Sequence, residues 1–121
     1  MFDYMTALQQ LTLNETNPCG VIKLCLGTKK WSLDKENNRI GFDFRGCRKA
    51  SFCYIRYDEI QDLYDMEFLK QEHVNFGLGV RVPGEYKTVE EKKGLYCDQL
   101  HEVFEEFTGL RLFTPRIRMM A

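Results

Sequence analysis

Histidine, serine, proline and tryptophan are all scarce in this chain of 121 residues: there are 2 histidines, 3 prolines and 1 tryptophan, and the only serines are Ser32 and Ser51. Nucleophilic catalysis by a Ser/His constellation therefore has little to draw on. No stretch of about 18 uncharged apolar residues exists, which excludes a membrane-spanning helix. The opening MFDYMTALQQ carries an acid at Asp3 and no basic residue ahead of an apolar run, so no secretory leader is predicted and the chain is expected to be cytoplasmic.

The 5 cysteines, Cys19, Cys25, Cys47, Cys53 and Cys97, are an odd number, which argues against a disulfide framework. Cys19/Cys25 and Cys47/Cys53 both leave five intervening residues, wider than the two to four of structural zinc knuckles, so neither metal nor other cofactor is implied. Cys25 and Cys53 lie in apolar alternations and read as small buried hydrophobes. Cys97 and His101, four residues apart on a predicted helix, are the one thiol–imidazole pair, but no third residue is placed to orient the histidine, and no enzyme is predicted. The sequon at Asn14-Glu15-Thr16 carries no weight in a cytoplasmic protein.

A hydrophobic content of 44%, with 13% aromatic and 29% charged residues, supplies one core and excludes disorder and collagen-like repetition. Phe2, Met5, Leu8 and Leu11 recur at three-residue steps, predicting an N-terminal helix that ends before Pro18. From there the period becomes two. Strands are predicted at 21–26 (Ile22, Leu24, Leu26), around Trp31 and Leu33, at 39–45 and at 51–57, with a hairpin loop at 35–38 and Trp31 placed in the core. Tyr64, Met66 and Phe68 predict another strand, with a helix over 59–71 as the fallback.

Val74, Phe76, Leu78, Val80 and Val82 predict a last strand, ending at Pro83-Gly84; Gly77 and Gly79 leave one of its faces bare, which reads as a flattened or bulged strand before it reads as room for a ligand or another backbone. Tyr96, Leu100, Val103, Phe104 and Phe107 form a helical stripe stopped by Gly109. Its start is signalled either by the capping-box form Thr88-x-x-Glu91 or nearer Gly94. The result is a single α+β domain over 1–121, a mainly antiparallel sheet of five to six strands with an N-terminal and a C-terminal helix on one face.

Net charge is only −1, yet residues 21–57 hold nine bases against three acids, and residues 58–121 hold eight bases against thirteen acids. With Ile40, Phe42, Phe44, Cys53 and Ile55 facing the helices, the outer sheet face would gather Lys23, Arg39, Arg45, Arg56, Phe52 and Tyr54. Rings for base faces among cations for phosphates are what a single-strand stacking platform requires. The candidate nucleic-acid contacts are Lys29, Lys30, Arg39, Arg45, Arg48, Lys49, Phe52, Tyr54 and Arg56, for single- or double-stranded partners. The bland counterpart is that the basic meander neutralises the acidic half within the fold. A second reading makes the acidic face of the C-terminal helix, Asp98, Glu102, Glu105 and Glu106, the docking surface for a host protein.

Several phrases in order along the chain carry a resemblance: Ala7-Leu8-Gln9-Gln10-Leu11, Gly27-Thr28-Lys29-Lys30-Trp31, Asp62 to Phe68 (DLYDMEF), Gly94 to Leu100 (GLYCDQL) and Phe104 to Leu110 (FEEFTGL). Together they resemble a family of small proteins of unknown function from bacteriophages, plasmids and related mobile elements. Lys30 and Trp31 stand where that family tends to have Asn and Phe, and the region 72–87 has no counterpart. The resemblance implies a mobile-element accessory protein and a strand at Tyr64–Phe68; it implies no catalytic residues.

Overall fold

The computed structural model describes residues 3–75 and 77–113. The readings placed on Phe2, Phe76 and the 114–121 tail lie outside them. Helix α1 spans Tyr4–Thr12, and Asp3 caps it: the carboxylate accepts from the backbone N–H of Met5 and Thr6. Those bonds and one from the Thr6 hydroxyl hold the Asp3 carboxyl below its usual range. Helix α2 spans Pro18–Leu26. It replaces the strand predicted at 21–26. Asn17 accepts from Gly20 N–H as the N-cap and Pro18 opens the first turn, where its missing N–H costs nothing. Pro18, Val21, Ile22 and Leu26 then share one buried side, while Leu24, which a strand would have buried beside Ile22, is 67% exposed.

Five strands follow: β1 (Trp31–Asp34), β2 (Arg39–Asp43), β3 (Phe52–Asp58), β4 (Leu63–Asn75) and β5 (Arg81–Leu95). They form one antiparallel meander in the order β1-β2-β3-β4-β5. The strand reading of Tyr64–Phe68 holds, and the helical fallback does not. Two other expectations change. The alternation at 74–82 is interrupted by a turn, because Gly77, Leu78 and Gly79 all take positive φ, and Val80 N–H closes on Gly77 C=O at 3.0 Å. Gly77 and Gly79 thus make a turn instead of a bare strand face. Thr88 and Glu91 sit in β5 opposite Leu69 and Glu67, not in a capping box, and the last helix, α3, runs over Leu100–Thr108 after a 3-10 turn at Cys97–Gln99. Gly109 ends it as expected, in the left-handed region, with its N–H on Glu105 C=O.

Two N-terminal helices and the C-terminal helix therefore close one face of a five-stranded antiparallel sheet. The core joins Leu8, Leu11 and Ile22 to Phe42, Ile55, Met66 and Phe68, with Leu100 and Phe104 of α3 between the layers. Trp31, predicted in the core, lies on edge strand β1 and is 41% exposed, its ring 5.9 Å from Phe42. Cys53 is buried as predicted; burial pushes its thiol pKa well up, which keeps it an unreactive hydrophobe. All five cysteines are free.

Phe104 touches Phe42, Phe44 and Phe68 at centroid distances of 5.9, 5.4 and 6.1 Å with no exposed surface. Phe104→Ala is expected to cost about 3–5 kcal/mol in urea unfolding, and a cost under about 1 kcal/mol would remove α3 from the core. At the far end of the sheet the Tyr57 hydroxyl donates to Asp62 at 2.5 Å, which with the nearby acid charge pushes its pKa to about 12. Its folded-state pKa lies above the ordinary tyrosine value near 10, so the neutral phenol is the form the fold favours, and that stabilisation is lost between about pH 10 and 12. The wild-type minus Tyr57→Phe difference in phenolate absorbance should titrate near the upper limit of that window and fall back toward 10 in Asp62→Asn.

Candidate nucleic-acid interface

The predicted contacts divide between two places. Arg39, Phe52, Tyr54 and Arg56 lie on the outer face of β2 and β3, as alternation required. Lys29, Lys30, Arg45, Arg48 and Lys49 lie instead in the loops at one end of the sheet, the α2–β1 loop and the β2–β3 connection. Lys23, expected on the outer face, is carried away on α2.

The outer face is an ion-paired surface. Arg39 Nε lies 3.1 Å from Asp34 Oδ2, and its guanidinium covers the Tyr54 ring at 4.2 Å. Arg56 bonds Asp65 at 2.7 Å, which holds its charge more firmly, and hydrogen bonds from Asn37, with Arg39 adding to them, hold the Asp34 carboxyl below its usual range. A shallow groove of about 410 Å³ opens here, lined by Asn37, Arg39, Tyr54, Arg56, Asp65, Met66, Glu67, Glu91 and Lys93, with three cations balanced by three acids. Phe52 is only 7% exposed, under Tyr54 and Tyr86 at centroid distances of 5.0 and 5.3 Å. These rings pack on one another over Gly41, where an added Cβ would lie 2.5 Å from Phe52 and 2.6 Å from Tyr54. The aromatics thus form a small second core on the outer face.

The sheet end has the opposite character. Asp43 knits it together: its Oδ1 accepts from Lys29 N–H at 2.7 Å and Lys30 N–H at 2.8 Å, and its carbonyl accepts from the Thr28 hydroxyl. Arg45 N–H reaches Leu26 C=O at 3.1 Å, so both loops are tied to one scaffold. Lys49 Nζ donates to Phe107 C=O at 3.2 Å beside the end of α3, a favourable place for a cation, and Lys70 Nζ donates to Arg48 C=O. Lys29, Lys30, Arg45 and Arg48 are exposed. Segments 27–30 and 43–50 together with Lys70 hold six cations and a single acid, Asp43, whose carboxylate is bonded to the backbone N–H groups of Lys29 and Lys30. Sequence reasoning missed Lys70; its signal was the two-residue alternation of β4 running on past Phe68.

The acidic residues are likewise sorted. Glu102 and Glu106 are exposed on α3 and Asp98 precedes it, but Glu105 is spent inside the fold, accepting from Leu112 N–H at 2.8 Å. Glu105 also faces His101 Nε2 at 3.2 Å, and His101 Nδ1 meets Leu11 C=O at 2.7 Å in the last turn of α1. Both ring nitrogens are committed, so His101 ties α1 to α3 and is not turned to the exposed Cys97 thiol. Among the described residues no group of three or more His, Cys, Asp or Glu side chains is arranged to hold a metal ion. None of their helices is long and apolar enough to cross a membrane. In comparisons with known proteins, the chain matches no family model, no curated protein and no solved structure.

Gly41→Ala is expected to destabilise by about 1–3 kcal/mol, because the new Cβ must displace two packed rings. In a Phe52→Leu background the same change should cost measurably less, and simple additivity in thermal unfolding would show that the rings do not lean on Gly41.

Proposed function

We propose that this chain is a non-enzymatic binding module, of the mobile-element kind it resembles, and that it holds nucleic-acid phosphates at the basic end of its sheet. The observation that carries this reading is the segregation of six cations, five in two loops fixed to each other by Asp43 and the sixth at Lys70 of β4, against the single acid Asp43, whose carboxylate is bonded to backbone. Exposed lysine and arginine side chains on a rigid scaffold gain affinity by releasing counterions from phosphates. The paired Arg39 and Arg56 and the covered Phe52 favour this end over the sheet face as the contact. The commitment of His101 to Leu11 and Glu105 speaks against a Cys97/His101 catalytic pair.

Fluorescence anisotropy with short labelled DNA at several salt concentrations tests the proposal. Binding should weaken steeply as salt rises, and Lys29→Ala, Lys30→Ala and Arg48→Ala should each lower the salt slope by about one. Arg39→Ala, on the ion-paired face, should leave the slope unchanged. Absence of binding to any DNA or RNA at low salt would overturn the reading. A host-protein adaptor working through Asp98, Glu102 and Glu106 would then take its place, favoured by the exposure of all three.

A further inference from the structure

Strand β3 pairs with β4 only as far as Phe52↔Leu69, yet β4 continues to Asn75 and β5 begins at Arg81. Residues 70–75 and 81–87 therefore leave the sheet as a ribbon of two strands with no third neighbour among the described residues. Six residues of strand make an arm about 20 Å long. Because Leu69 pairs with the first residue of β3, the arm departs from the end that carries the basic loops. Lys70 bonds Arg48 C=O and Gln71 N–H reaches Ser51 Oγ at its root, so arm and loops are one assembly.

The arm's two faces differ chemically. Alternation along β4 continues the outer face through Gln71, His73 and Asn75, and the register sets Tyr86, Pro83 and Arg81 opposite them. None of these six residues is an acid; Glu85 falls at the register shift between Gln71↔Tyr86 and His73↔Pro83. The other face carries Val74 opposite Val82 and the Glu72–Lys87 pair, 3.0 Å apart. Isolated two-stranded ribbons are marginal in water, and here Val74, Val80 and Val82 are 48%, 52% and 38% exposed.

We infer that this arm seats in the major groove of a B-form DNA duplex, its Arg81 face toward the base edges, while Lys29, Lys30 and Arg48 take the flanking phosphates. The inference rests on the phosphate-binding reading above and names the duplex as its ligand. The major groove, about 12 Å wide, admits a two-stranded ribbon; the narrow major groove of an RNA duplex does not, and a single strand has none. Arginine, asparagine and glutamine are the side chains that pair with guanine and adenine edges, and none of the six residues paired on that face would repel the phosphates on either side.

The test is anisotropy with duplex DNA, single-stranded DNA and duplex RNA of one length, on four proteins: wild type, Arg81→Ala, Val74→Thr on the opposite face, and a variant in which an Asn-Gly turn joins residue 71 to its register partner, residue 86. Circular dichroism confirms that each is folded. Wild type should prefer duplex DNA. Arg81→Ala should weaken duplex binding about tenfold while single-strand binding stays unchanged, and Val74→Thr should bind as wild type. The shortened variant should lose the duplex preference and keep the salt-dependent binding of the loops. Should the shortened variant fail to fold, Arg81→Ala decides alone. Equal wild-type affinity for the three ligands, or an unchanged Arg81→Ala, would overturn the arm's role and leave the basic-loop reading standing; absence of all binding would overturn both. A shortened variant that turns a dimer into a monomer with DNA binding intact would also overturn it, assigning the arm to a second copy of the chain.

Discussion

Burial of the inner sheet face under the helices is the constraint from which the rest of this structure follows. Phe104, reaching from α3 to Phe42, Phe44 and Phe68, joins elements far apart in the chain into one interior. Once those rings are packed, alternation along β2 and β3 must send Arg39, Tyr54 and Arg56 to the other side. Burying the rings also fixes where the connections emerge, because α2 has to return to the start of β1 at the end of the sheet where β2 finishes. The clustering of cations at that end is thus a consequence of topology acting on sequence: loops far apart in the chain, at 27–30 and 44–50, are brought together by the meander.

Much of this was legible in the residues, and the exceptions have definite physical causes. The strands around Ile40–Phe42, Cys53–Ile55 and Tyr64–Phe68 announce themselves by alternation because one face is buried and the other is wet. The stretch 21–26 does not, since Val21, Ile22 and Leu26 satisfy a helical stripe as readily as Ile22, Leu24 and Leu26 satisfy a strand. What decides is Asn17-Pro18, which looks like a breaker when read as the end of one helix and acts as a cap when read as the start of the next. At 74–82 the apolar alternation runs through a turn whose glycines happen to fall on alternate positions, so period alone could not find the reversal.

The site divides along the same line. Which face Arg39, Phe52 and Tyr54 occupy is a local property and was readable; that Asp34 and Asp65 neutralise the arginines depends on cross-strand register, which no single strand contains. Charge counted by segment located the basic region, but only three-dimensional placement separates the paired cations of the sheet face from the exposed ones of the loops. His101 shows the same limit. Its four-residue spacing from Cys97 drew attention, while its partners, Leu11 and Glu105, lie on another helix and on its own next turn.

The long outer strand β5 is an edge, and an open edge is a template for growth of sheet between molecules. At each of its three register shifts against β4, β5 advances one residue further than its neighbour, so the extra residue always falls on the exposed strand. Pro83 removes a donor from that edge, and Lys87, Lys92 and Lys93 line the rest with charge. A second molecule meeting this side encounters a bent, interrupted ladder on which a flat strand cannot zip. Irregularity on β5 therefore makes the long two-stranded projection a poor template for a further strand.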